Sequence, residues 1–132
     1  MNDEREPLSD ADRRAQGMRV RREVLSDAHV DAATAAATEL TADWQDFITR
    51  VAWGEVWSRP GLDRRSRSIA VLSSLIAHGH HEELAMHLRA ARRNGLTVDE
   101  IREVILQSAI YSGVPAANTA FRIANEVLAD EL

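Results

Sequence analysis

Residues 78–95 read HGHHEELAMHLRAARRNG. Leu84, Leu88 and Ala91 recur at intervals of four and three, which places them on one face of an α-helix and rules out the two-residue alternation of a strand. Gly79 ends the element before it and His81 opens a helix to Asn94. Gly95 then supplies a left-handed stop. The same helix carries His80, Glu83 and His87 at intervals of three and four, so two imidazoles and a carboxylate can project from one stripe. Histidine titrates near neutral pH, and a neighbouring carboxylate can set its protonation state, so the stripe suits proton transfer.

The same reading extends outward in both directions. Residues 63–78 hold Ile69, Val71, Leu72, Leu75 and Ile76, an apolar helix expected at the centre. Thr97 followed by Glu100 is a capping box opening a helix with Ile101, Val104, Ile105 and Ser108 in phase, ended by Gly113. Pro115 then suits the first turn of a last helix to about residue 129. Towards the amino terminus, Thr41 and Asp43 are cap candidates for one helix over 41–59, with Trp44, Phe47, Ile48 and Val51 as its apolar stripe and Pro60-Gly61 as its stop. Residues 31–40 are alanine-rich and read as a second helix. Residues 8–26 read as the first, capped by Ser9, with Arg13, Arg14, Arg19, Arg21 and Arg22 as a solvated face. No period-two strand or hairpin turn interrupts this series. The expectation is an all-α, single-domain bundle of six or seven helices over 1–132, with about 1–40 as an amino-terminal helical extension.

Bulk composition narrows the function. A chain of 132 residues with 45% hydrophobic and 28% charged side chains buries one ordinary core. Its net charge of −5 argues against general nucleic-acid or membrane-surface binding, while a local arginine cluster still admits a small anion. No apolar run reaches membrane-span length, and MNDEREPLSD lacks the regions of a signal peptide, so a cytoplasmic location is expected. Cysteine is absent, which removes disulfide, thiolate-zinc and CxxC redox chemistry together.

Four segments carry a resemblance to a known family: VRREVLSDAHVD (20–31), TADWQDFITRVAWGEVWSRPGLDRRSRS (41–68), EELAMHLRAARRNGLTVDEIREVILQ (82–107) and YSGVPAANTAF (111–121). Together they resemble the carboxymuconolactone decarboxylase family, within the wider alkylhydroperoxidase D-like superfamily, over nearly the whole chain. The last two match the superfamily in general, whereas 41–57 is more particular to the decarboxylases. In the peroxidase branch a CxxC pair and a downstream histidine act on this helix. Here the matching positions are His80, Glu83 and His87, so the sulfur chemistry of that branch is excluded.

The resemblance implies loss of carbon dioxide from gamma-carboxymuconolactone to give the enol-lactone of 3-oxoadipate, a step of protocatechuate breakdown. The departing carboxylate sits on a ring carbon conjugated through a double bond to the lactone carbonyl. The ring can therefore take the electron pair, and no cofactor is obligatory. The protein must hold a dianion, meet the developing oxyanion and deliver a proton to carbon. His87 is the leading candidate for acid or oxyanion donor, with Glu83 to orient or relay and His80 as second donor. Arg64, Arg65 and Arg67, entering a helix, are candidate carboxylate clamps. Trp53, Glu55 and Trp57 are candidate pocket residues, and Tyr111 offers one more hydrogen bond.

Plainer roles stand beside these. Glu83 can simply support its helix through His87, the arginines can be a surface cluster, and Trp53 and Trp57 can cover a subunit contact. Trp44 and Phe47 are expected in the core. His80, Glu83 and His87 can in principle ligate a divalent ion, but the spacing is not HExxH and the reaction needs no Lewis acid, so no metal is expected. The resemblance further implies a homo-oligomer, a trimer or a hexamer, with sites near subunit contacts.

Overall fold

Helix-forming runs punctuated by glycine, serine and proline give a wholly helical chain. The computed structural model describes residues 7–132, and every regular element among them is a helix. The first six residues, on which part of the signal-peptide argument rests, lie outside that range. Contacts group the chain into two compact units that divide between Pro60 and Gly61.

In the first unit, α1 (Asp10–Leu25) opens where the Ser9 side chain accepts from the Asp12 N–H at 3.1 Å. It ends at Ser26, whose φ of +94° turns the chain within one residue. Ser26 also caps α2 (Asp27–Ala36) by accepting from the His29 N–H, so that helix begins four residues earlier than its alanine run suggests. Val30 is its buried anchor, while Leu40, expected inside its end, is 90% exposed.

The expected single α-helix over 41–59 is instead α3 (Ala42–Ile48) followed without a break by a π-helix (Thr49–Val56). Its wider turn is seen where the Trp57 N–H reaches the Ala52 carbonyl five residues back, at 2.9 Å. Two glycines let α1 and the π-helix touch backbone to backbone. A Cβ on Gly17 would lie 1.9 Å from the Thr49 carbonyl oxygen, and one on Gly54 would lie 2.2 Å from that of Arg13.

This packing corrects two expectations. Gln45 and Thr49 face Arg21 of α1, so Trp44 and Phe47 fall on the outer side; both are exposed and stack on each other with centroids 5.9 Å apart. Arg21 is not part of a solvated face, for it is buried beneath that same contact.

In the second unit, α4 (Arg64–His78) is capped by Asp63, which accepts from the Ser66 N–H at 2.7 Å, and stops at left-handed Gly79. Then follow α5 (His81–Arg93), α6 (Val98–Ser112) and α7 (Val114–Val127), and a short 3₁₀ turn (Ala129–Glu131). The Thr97–Glu100 capping box is formed in both directions. Leu72 and Ile76 of α4 meet Leu84 and Leu88 of α5, Ile101 and Ile105 of α6 and Ala120 and Ile123 of α7 in one core. Each large side chain buried there contributes about 1.5–3 kcal/mol, so this four-helix packing is a firm support for α5. Among the described residues no helix is long and apolar enough to cross a membrane.

Candidate active site

Gly79 brings the end of α4 and the start of α5 within two residues of each other. His80 occupies the N-cap position of α5 without a side-chain cap bond, and its ring stacks on His78 at 5.8 Å and 23°. From there the stripe His80, Glu83, His87 runs down α5 beside the fully buried Leu84 and Leu88. Burial deepens along it: His80 and Glu83 are exposed, His87 is half-buried and its Nδ1 atom is buried. Two turns beyond His87, the Asn94 amide donates to Ser68 Oγ of α4 at 2.8 Å, which holds the end of α5 on that neighbour. Glu83 and His87 thus lie one turn apart on α5, while His80 precedes its first residue with non-helical ψ.

The arginines of the first turn of α4 divide. Arg65 reaches the Glu100 carboxylate and the Gly95 carbonyl, so it ties α4 to the turn before α6. Glu100 is held below the usual carboxylate range, first by the Thr97 N–H and then by Arg65. Arg64 and Arg67 are half-buried, and Arg67 Nε donates to the Leu62 carbonyl at 3.2 Å. Asp63 also sits below its ordinary value, chiefly through the Ser66 N–H that it caps.

Trp53, Glu55 and Trp57 belong to the first unit. Trp53 is 6% exposed and stacks on Trp57 with centroids 5.2 Å apart at 25°. Glu55 pairs with Arg13 at 3.6 Å. Beside them lies a cavity of about 480 Å³ lined by Arg13, Gln16, Glu55, Ser58 and Arg59, among others. Of these polar residues, Arg13 was expected on a solvated face and Gln16, Ser58 and Arg59 were not singled out in the sequence. Gln16 and Gly17, three and four residues after Arg13, were the available signal: a glycine within a helix beside a hydrogen-bonding residue suits a close helix crossing. Tyr111, near the end of α6, is 83% exposed beside Ile110 at 80%. Among the described residues no three His, Asp or Glu side chains form a ligand set.

The model of the carboxymuconolactone decarboxylase family matches residues 42–126, which include α3 through nearly all of α7. The chain belongs to the carboxymuconolactone decarboxylase family. This is the family that the four quoted segments resemble. Within the carboxymuconolactone decarboxylase match lie all the candidate residues, from Trp53 to Tyr111. A protein of Acinetobacter baylyi named 4-carboxymuconolactone decarboxylase is 47% identical over 123 residues, 93% of this chain and 92% of that one. The nitrosuccinic acid decarboxylase of Metarhizium robertsii is 41% identical over 115 residues, 87% of this chain and 80% of its own. An uncharacterised 15.0 kDa protein of Paracoccus denitrificans is 35% identical over 81 residues, 60% of either chain.

Proposed function

We propose that this protein is a carboxy-lyase that converts 4-carboxymuconolactone to 3-oxoadipate enol-lactone and carbon dioxide, without a cofactor, in cytoplasmic protocatechuate breakdown. The observation that carries this reading is 47% identity, over 93% of this chain, with a protein named for that reaction.

The chemistry divides among the residues as follows. When the carbon–carbon bond to the carboxylate breaks, its electron pair enters the ring and charge collects on the lactone oxygen. Hydrogen-bond donors placed for that charge supply much of the acceleration. His87, half-buried and next to the core, either donates to that oxygen or delivers the proton to the ring carbon beside the carbonyl. Glu83, one turn earlier on the same face, orients its imidazole. His80 stands at the mouth as a second donor. Arg64 and Arg67 hold substrate carboxylates near the N–H groups that begin α4, where the helix dipole favours anions. Arg65 is engaged by Glu100 and serves the scaffold. Trp53, Trp57 and Glu55 are the substrate-contacting residues of the first unit, and Tyr111 is a further hydrogen-bond donor of the second. The working form is a homo-oligomer, a trimer or hexamer, supported by exposed Ile110, Tyr111 and Val114 around the α6–α7 turn.

Ultraviolet-monitored turnover of 4-carboxymuconolactone by chelator-treated protein, beside a His87→Ala variant, tests this reading. Wild-type protein should turn over after chelation, and the variant should lose roughly 10²–10⁴-fold in kcat with its circular dichroism unchanged. A folded wild-type protein inert toward the lactone would sink the assignment, and nitrosuccinate is then the next substrate to try, since its nitro group can also accept the electron pair. An undiminished His87→Ala rate would remove His87 from the chemistry.

A further inference from the structure

Arg21 is a buried charge that the reaction above does not use. It is 5% exposed, yet every hydrogen bond its guanidinium makes goes to a neutral group. Nη1 donates to Thr49 Oγ1 at 3.3 Å and Nη2 to Gln45 Oε1 at 3.0 Å, while Nε is buried with no acceptor. Burial pulls its pKa down, and among the described residues no neighbouring carboxylate opposes the shift. A buried cation without a counter-charge is a poor source of stability, and an apolar side chain of similar length would cost less to bury. What the group supplies is geometry.

Its two acceptors sit one turn apart, on either side of the point where α3 becomes the π-helix. At that point the Thr49 N–H is shared between the Gln45 and Asp46 carbonyls, and the Thr49 hydroxyl donates to the Gln45 carbonyl at 2.7 Å. Backbone pairing there is divided, so side-chain contacts decide where the pitch changes. One turn back along α1, Gly17 abuts Thr49 and Gly54, and the Gln16 amide donates to the Gly54 carbonyl at 3.1 Å. Thus α1 grips the segment at Gln45, Asp46, Thr49, Gly54 and Glu55, and Arg21 is the side chain that spans Gln45 and Thr49 on either side of the change. Moving the pitch change by one residue exchanges an α step of about 100° for a π step about 20° smaller, and turns everything after it by that difference. Trp53, Glu55 and Trp57 all lie after it.

We propose that Arg21 is a positioning residue for the decarboxylation: by spanning Gln45 and Thr49 it fixes where the helix changes pitch, and so the direction in which Trp53, Glu55 and Trp57 leave it. The inference rests on the assignment of those three side chains to the substrate pocket. Lysine cannot replace it, because a single ammonium has no planar fork to span two fixed acceptors.

The test is Arg21→Met and Arg21→Lys in a Trp44→Phe background, which leaves Trp53 and Trp57 as the only tryptophans of the three. Their stacked indoles give a near-ultraviolet circular dichroism signal independent of activity. Both variants should lose much of that signal at unchanged helix content, and kcat should fall on the order of a hundredfold, more than KM rises. If Arg21→Met fails to fold, Thr49→Val removes the hydroxyl that accepts from Arg21 while keeping the shape, and the same loss of indole signal is expected. Folded variants with wild-type indole signal and kcat overturn the proposal. A wild-type protein inert toward the lactone would instead sink the decarboxylase reading, and the indole signal would still decide whether Arg21 sets the pitch.

Discussion

Gly17→Ala is the sharpest probe of the close crossing between α1 and the π-helix. The new methyl would lie 1.9 Å from the Thr49 carbonyl oxygen and 2.9 Å from the Gly54 nitrogen, both backbone atoms that cannot rotate away. An ordinary carbon–oxygen contact is about 3.3–3.6 Å, so the two helices must part by roughly 1.4 Å at this point. Overpacking of this kind costs about 1–3 kcal/mol. Parting also strains the Gln16–Gly54 and Arg21–Thr49 hydrogen bonds, each worth about 1 kcal/mol. Alanine returns about 1 kcal/mol through its better helix propensity. The net expectation is a loss of about 3 kcal/mol, or about 1–3 M in urea midpoint at an ordinary slope. The assay is urea unfolding at one fixed protein concentration, so that assembly does not enter the comparison. Gly61→Ala is the control, since nothing lies within 4 Å of its added carbon. If the Gly17→Ala midpoint equals or exceeds that of wild type, propensity alone is acting and the backbone contact is not there.

Two further outcomes are expected. Asp46 accepts from Arg14 and Arg50, chiefly the former, and its carboxyl is lowered from 3.8 to about 2. Between those values the unfolded chain binds the extra proton, so stability rises with pH: the contribution is full above the ordinary value and vanishes as pH falls to about 2. The wild-type advantage over Asp46→Asn in urea midpoint should therefore close across that window, and a gap unchanged down to about pH 2 would contradict the pairing. Light scattering should give a multiple of the chain mass for wild type and a smaller species for Tyr111→Ser with Ile110→Ser, whereas a monomeric wild type at micromolar concentration would refute the homo-oligomer.

Local signals carried the second unit. Asp63, Gly79, Gly95, the Thr97–Glu100 box and Pro115 each act within a few residues, and the helices begin and end beside them. The one-turn spacing of Glu83 and His87 was legible for the same reason, whereas His80 falls just before the helix, where helical spacing does not place it. The first unit hid more. Ser26 serves as the end of one helix and the cap of the next only because it adopts a positive φ, which no neighbouring residue announces. A window of apolar spacing tuned to 3.6 residues cannot register a π turn, so 41–59 looked like one helix with Trp44 and Phe47 inside. Arg21 stood among four other arginines on α1, and only the position of Gln45 and Thr49, more than twenty residues away, distinguishes it. The pairing of Arg65 with Glu100 was hidden in the same way. Long-range partners, unlike caps, leave no local trace.

The π-helix also bears on how the length of this chain can vary. A turn closed five residues back holds one residue more than a turn closed four back. Insertions and deletions ordinarily settle in loops, where backbone pairing is loose. Residues 49–56 are a place where a single-codon change can be absorbed inside a helix, by exchanging π for α pairing. Its effect would be directional. The glycine crossing at Gly17 anchors the chain at Thr49 and Gly54, so the side chains beyond Gly54, Trp57 among them, would be re-aimed while the helix as a whole survived. When homologous chains are aligned, a one-residue gap here is a difference in where Trp57 points, and shifting it into the Pro60-Gly61 turn for tidiness would erase that information.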